Sequence, residues 1–184
     1  LKRLFVAVVI VSSSWDVHQF LVPLYGAQLG LSASSIGLVL GAFSVATFVI
    51  RAGLPVLARR MGEWPLIIGA MTTAAVVYAV YPFFPSLPLM LAMSFALGLG
   101  LGMSQPMVMS VLHRAAPPDR IGEAGGLRLT LVNFTQTVLP TGFGLMGGAL
   151  GLAPMFWGMA VLVGGGAWFA ARGLRAPNRT EVHR

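Results

Sequence analysis

The sequence predicts an all-α, polytopic membrane protein whose six transmembrane helices fall into two sets of three. Composition is the first observation: of 184 residues, 57% are hydrophobic and 9% charged, against about 45–50% apolar and about 25% charged in an ordinary soluble domain. Second, the apolar residues gather into six runs, each long enough for the roughly 20-residue helix that crosses a bilayer. Third, the charges cluster between alternate runs. β-Barrel strands alternate in short segments, and these runs do not. The net charge of +7 sits in too apolar a chain for a nucleic-acid footprint and is read against a membrane. Cys is absent, which excludes disulfides, thiolate metal sites and cysteine nucleophiles.

The predicted helices cover residues 4–29, 32–58, 65–83, 87–112, 122–150 and 153–171. Lys2-Arg3 ahead of the first run imitates a secretory signal, but Ser12, Ser13, Ser14, Trp15, Asp16 and His18 interrupt it and no small-residue cleavage site follows. Ser32 or Ser34 is placed to cap the second helix, Pro85 and Pro88 break the chain before the fourth, and Pro117-Pro118-Asp119 opens the fifth. A first residue of Leu rather than Met is expected of a piece cut from a longer polypeptide.

Loop charge sets the expected orientation. The connections after the first, third and fifth helices carry no charge. Lys2, Arg3, Arg59, Arg60, Glu63, Arg114, Asp119, Arg120, Glu123, Arg172, Arg175, Arg179, Glu181 and Arg184 all fall on the other side. The positive-inside rule makes that side cytoplasmic, with both ends of the chain on it. The expected location is the cell membrane, a bacterial inner membrane.

Outside those clusters only Asp16, Arg51 and Arg128 carry formal charge within the spans, and charges facing lipid cost several kcal/mol, so function is sought there. Asp16 falls about 18 Å into the first helix, near the middle of the membrane. Ser12, Asp16 and Gln19 form a stripe at i, i+4 and i+7, with Trp15 beside it and His18 turned partly away. Asp16 has two readings, an interhelical tie or a proton- or cation-coupling carboxylate. Burial disfavours the charged form, so an Asp alternately wetted and enclosed can load and release a proton. His18 reads first as a neutral hydrogen-bonding partner and second as an acceptor of that proton. Arg51 and Arg128 both read as snorkelling to the interface, with anion or substrate contact the rival for Arg128. Asn133 and Gln136 continue a polar path along the fifth helix. Gln105 precedes Pro106, which frees a backbone carbonyl beside a polar side chain; Gln105 reads as a cavity contact or a helix-to-helix tie.

Polar groups mark helices one, two, four and five, whereas three and six look lipid-facing. This spacing of three invites an internal repeat: Gly37-Leu38 aligned with Gly126-Leu127 sets Gly53 opposite Gly142. Glycines four apart, Gly37 and Gly41, Gly122 and Gly126, Gly144 and Gly148, are expected to pack helices closely. The run Gly98, Gly100, Gly102 lies inside a span with no preceding strand and is no nucleotide loop, and GxSxG, HExxH and Walker motifs are missing. Neither an enzyme, a metal nor a cofactor is expected.

The loop Leu57-Ala58-Arg59-Arg60-Met61-Gly62, after Arg51-Ala52-Gly53-Leu54-Pro55, resembles the cytoplasmic signature G-x-L-A-D-R-x-G-R of the major facilitator superfamily. Leu57, Ala58, Arg60 and Gly62 match. Pro55 takes the first glycine, Arg59 the acidic position and Glu63 the following base, so the family's charge latch does not carry over intact. The stretch from Pro117 to Ala124, leading to Gly126-Leu127-Arg128, Asn133, Gln136, Pro140 and Gly144, resembles the loop and eleventh helix of drug-efflux-like and sugar-efflux-like members.

The resemblance spans essentially the whole chain and implies the C-terminal six-helix half of a twelve-helix carrier. The first and fourth helices would line a central cavity, the second and fifth flank it, and the third and sixth face lipid. It implies secondary transport of a small organic solute by alternating access, read here as proton-coupled efflux; the midplane acid among aligned polar groups places the coupling at Asp16 and His18. Trp15, Gln19, Gln105, Arg128, Asn133 and Gln136 would line the solute path, and Arg60 and Gly62 would form a cytoplasmic gating loop. The implied partners are the lipid bilayer, the solute, protons and an N-terminal six-helix half, with no nucleic acid. The alternative is a stand-alone six-helix substrate-binding subunit of an energy-coupling vitamin uptake system. An open, one-sided cavity fits the carrier; a sealed ligand-sized one fits the subunit.

Overall fold

The computed structural model describes residues 2–175, except the side chains of residues 2, 118, 139–141, 143–150 and 173–175. Arg179, Glu181 and Arg184 lie outside the described residues, as do the side chains of Pro140 and Arg175 and the surroundings of Gly144 and Gly148. The chain forms α1 (Lys2–Gln28), α2 (Ala33–Met61), α3 (Glu63–Val80), α4 (Leu87–Ala115), α5 (Ile121–Leu150) and α6 (Ala153–Arg175), with short 3-10 turns at Tyr81–Phe83 and Pro118–Arg120. No strand occurs among the described residues. Among them, five helices are long and apolar enough to cross a membrane.

The ends follow local chemistry. Ser32 caps α2, its Oγ accepting the Ser35 N–H at 3.2 Å. α2 runs past the expected residue 58 to Met61, and α3 starts at Glu63 rather than 65, because one glycine makes the whole turn. Gly62 adopts φ +76°, where a side chain is strained, and its N–H closes on the Ala58 carbonyl. Pro65 is tolerated in the first turn of α3, where N–H groups have no intrahelical partner. α4 continues to Ala115 and stops where Ala116 turns extended ahead of Pro117.

The helices pack in two layers. α1 and α4 stand side by side at the centre of the front layer, with α5 against α1 and α2 against α4; α3 and α6 lie behind, α3 on α4 and α6 on α1. Exchanging one with four, two with five and three with six turns these packing pairs into one another, as a three-plus-three repeat requires. α3 buries Leu66, Ile67, Ala70, Met71, Ala74 and Tyr78 and leaves Val76 and Val80 exposed. One face is thus packed and the outward face is also apolar, as a helix that meets lipid requires.

The glycines that bring helices together are not the expected pairs. Around Gly37, Gly41, Gly122 and Gly126 a methyl group would meet no described residue within 4 Å. The run in α4 does the packing. Successive positions two apart point to nearly opposite sides of a helix. A methyl on Gly98 would strike the Phe43 carbonyl and Ala46, and one on Gly102 would come within 2.9 Å of Ile50 and Thr47, both on α2. One on Gly100 would meet the Ala70 carbonyl at 3.3 Å, on α3. α4 is clamped between its neighbours at backbone distance.

At the end free of charged loops an aromatic cluster ties α1, α3 and α6. Tyr81 stacks on Phe156 with centroids 4.8 Å apart, and Tyr25 packs edge-on against both. Tyr25 donates to the Pro82 carbonyl at 3.3 Å, and Tyr78 donates to the Ser14 carbonyl.

Candidate translocation recess

A recess of about 320 Å³ opens on the front layer, lined by Ser12, Trp15 and Asp16 from α1, Arg51 from α2, Gln105 from α4, and Val132 and Gln136 from α5. It is open on one side and is not a sealed cavity. Depth along the helices explains who meets whom. At about 1.5 Å per residue, Asp16 and Gln136 both lie about 21–23 Å from the end of the bundle where α1 begins, and Arg51 and Gln105 about 15 Å from it.

Gln136 Nε2 donates to Asp16 Oδ1 at 3.2 Å, while Oδ2 is buried without a partner among the described residues. Trp15 is held edge-on to Phe43 at 4.7 Å. Arg51 does not snorkel, contrary to expectation. Pro106 has no N–H, so the Gly102 carbonyl one turn earlier loses its helical partner. Arg51 Nε donates to that carbonyl at 3.3 Å. The bare glycine lets α2 approach closely enough for the reach.

Arg128 also turns inward, donating from Nη2 to Gln105 Oε1, with Nε buried and unpartnered among the described residues. Arg128, Val132 and Gln136 recur at i, i+4 and i+8 and share one face of α5. Arg128 stands behind Gln105 rather than on the recess wall. Asn133 is rotated off that face and exposed, outside the recess. Gln19 is likewise exposed, almost a turn beyond Asp16 and outside it.

His18 belongs to the core. It is fully buried, stacked on Phe43 with centroids 4.2 Å apart, and its Nε2 lies 3.1 Å from Ser94 Oγ. Ser94 Oγ is in turn 3.3 Å from Tyr81 Oη. This is the hydrogen-bonding reading of His18, away from Asp16 and the recess.

At the charged end, Gly62 is the turn already described and Arg60 is exposed in the last turn of α2. The tie there is one that motif matching missed. Glu63 at the start of α3 forms an ion pair with Arg114 at the end of α4, and Ser110 Oγ donates to the same carboxylate at 3.1 Å. The signal for it was the unmatched acid in the loop motif. Each partner also suits its helix terminus, acid at the start and base at the end. No group of three or more His, Cys, Asp or Glu suited to a metal occurs among the described residues.

Fold and recess together define a polytopic helical membrane protein with an open polar wall at mid-depth. The chain matches the family model of the Major Facilitator Superfamily over residues 4–183. It belongs to that superfamily, whose members are secondary transporters. No match to a curated protein is found. The family assignment favours the carrier over the vitamin-binding subunit.

Proposed function

We propose that this chain is the C-terminal half of a twelve-helix carrier that exports a small organic solute by alternating access, in exchange for protons bound at Asp16. The observation that carries the proposal is convergence. Trp15, Asp16, Arg51, Gln105 and Gln136, drawn from α1, α2, α4 and α5, meet in one recess on the open side of the bundle. α2 and α5, which flank it, keep Phe48, Val49, Val56, Phe134 and Val138 exposed, apolar surface suited to a second half-bundle or to lipid. The charge distribution supports cytoplasmic placement of both ends, and the loop resemblance to efflux-like members supports export.

Rocking of two halves about a midplane site needs no covalent step; it needs solute and proton to bind the outward and inward states differently. Asp16 suits the task because Gln136 anchors one carboxylate oxygen while the other is enclosed with no partner among the described residues. Arg60 and the Gly62 turn would serve as the cytoplasmic hinge. Asp16→Asn keeps shape and removes the ionisable proton. In vesicles containing the full-length carrier it is expected to abolish proton-driven efflux while downhill exchange continues; undiminished proton-driven efflux removes Asp16 from the mechanism.

A further inference from the structure

We infer that the solute of this recess is a small zwitterion, carrying an ammonium for Asp16 and a carboxylate for Arg51. The inference rests on the reading of the recess as the solute path and adds to it a chemical class. Asp16 and Arg51 line the same recess, yet among the described residues neither forms an ion pair with the other, nor does Asp16 pair with Arg128. Two opposite charges inside a membrane are normally driven together, because each is costly to leave uncompensated there. Here each is held by a neutral partner instead. Gln136 takes one oxygen of Asp16, and the Gly102 carbonyl freed by Pro106 takes the Nε of Arg51.

What remains unpartnered among the described residues is complementary. Asp16 Oδ2 is enclosed at the recess with no hydrogen bond, and the Nη groups of Arg51 hydrogen-bond to no described residue. A guanidinium presents parallel donors that suit a carboxylate, and a carboxylate oxygen suits an ammonium. A solute with only a positive group meets Arg51 as a repulsion, one with only a negative group meets Asp16 as a repulsion, and a neutral one leaves both unpaired. Arg128 adds a second positive charge behind Gln105 and disfavours organic cations further. Trp15 and Val132 supply an apolar wall for the body of the molecule. The class also fits exchange: the incoming ammonium displaces the proton on Asp16 to water on the loading side, so proton and solute compete for one oxygen.

The test uses the full-length carrier and matched probes: leucine and phenylalanine, their deaminated acids isocaproate and hydrocinnamate, and their decarboxylated amines isoamylamine and phenethylamine. Binding is read as thermal stabilisation of the purified carrier and as competition in vesicles. Each zwitterion is expected to bind at least about tenfold more tightly than its acid and its amine, the usual size of one charge-assisted contact. Arg51→Gln is expected to erase the preference over the amine, and Arg51→Lys to keep part of it. Asp16→Asn is expected to erase the preference over the acid. Because each comparison is a ratio within one variant, a loss of folded protein does not mimic the result. An amine or acid binding best, equal binding of all three, or no binding of any probe overturns the inference. A carrier that couples protons through Asp16 but ranks amines first loses the zwitterion and keeps the proposed exchange. One that ranks zwitterions first without Asp16-dependent proton flux does the reverse.

Discussion

His18 and Asp16 sit two residues apart and are both ionisable, yet the fold gives them opposite surroundings. Asp16 opens on the recess, whereas His18 is turned about 200° around α1 into the contact with α2 and α4. A fully buried imidazole stacked on Phe43, with Nε2 near Ser94 and Nδ1 without a partner among the described residues, is a packing group paired at one nitrogen only. Ser94→Ala therefore leaves a buried ring nitrogen without its partner, and a loss of about 1–3 kcal/mol is expected. Thermal unfolding should report that loss while proton-driven transport per folded molecule stays unchanged; a loss of coupling instead would make the His18, Ser94, Tyr81 chain a proton relay. The residue types alone left His18 with two readings, because hydrogen-bonding partner and proton acceptor call for the same side chain.

Among the elements, α4 does the most. Gly98 and Gly102 admit α2, Gly100 admits α3, and Pro106 opens the hydrogen-bond ladder where Arg51 can use it. Pro inside a helix ordinarily costs about 3 kcal/mol, so Pro106→Ala is expected to raise thermal stability. The same change returns an N–H to the Gly102 carbonyl and displaces Arg51. Solute transport should fall while the melting temperature rises; transport that survives would show that the carbonyl does not position the arginine. Pro106 was legible as a source of a free carbonyl, but its taker was not, because Arg51 is far away in sequence. The same gap explains the glycine pairs. A four-residue spacing marks a smooth face, and only the neighbouring helix decides whether anything lies against it.

At the scale of the whole molecule the front and back layers face different surroundings. The recess lies on the front, while α6 at the back exposes Trp157, Val161, Trp168 and Phe169, with Arg172 folded over Trp168 at 3.4 Å to the ring centroid. These 184 residues contain no cysteine, so within them a single introduced thiol reports one position. In the membrane-embedded protein, Val132→Cys, half-buried on the recess wall, is expected to react with a charged, water-soluble thiol reagent and to be protected by bound solute. Val161→Cys is expected to react only with a lipid-soluble reagent. Equal reactivity of both with the soluble reagent would mean that the recess is not the wet side of the bundle.

The sequence by itself determined that the chain is helical, membrane-spanning and divided into six, since length of apolar run, loop charge and Pro or Gly punctuation are local quantities that a bilayer reads one segment at a time. It also located Asp16, Gln105 and Gln136 as polar groups needing shelter from lipid. Only the tertiary structure decided which of them share a space. Gln19 and Asn133 carry the same chemistry as Gln136 but sit a fraction of a turn or nearly a turn away, outside the wall. Arg51 was assigned to the interface because its position along α2 was known and the open carbonyl opposite it was not. Rotation of each helix about its axis, and the neighbour it then meets, is set by packing between segments distant in the chain.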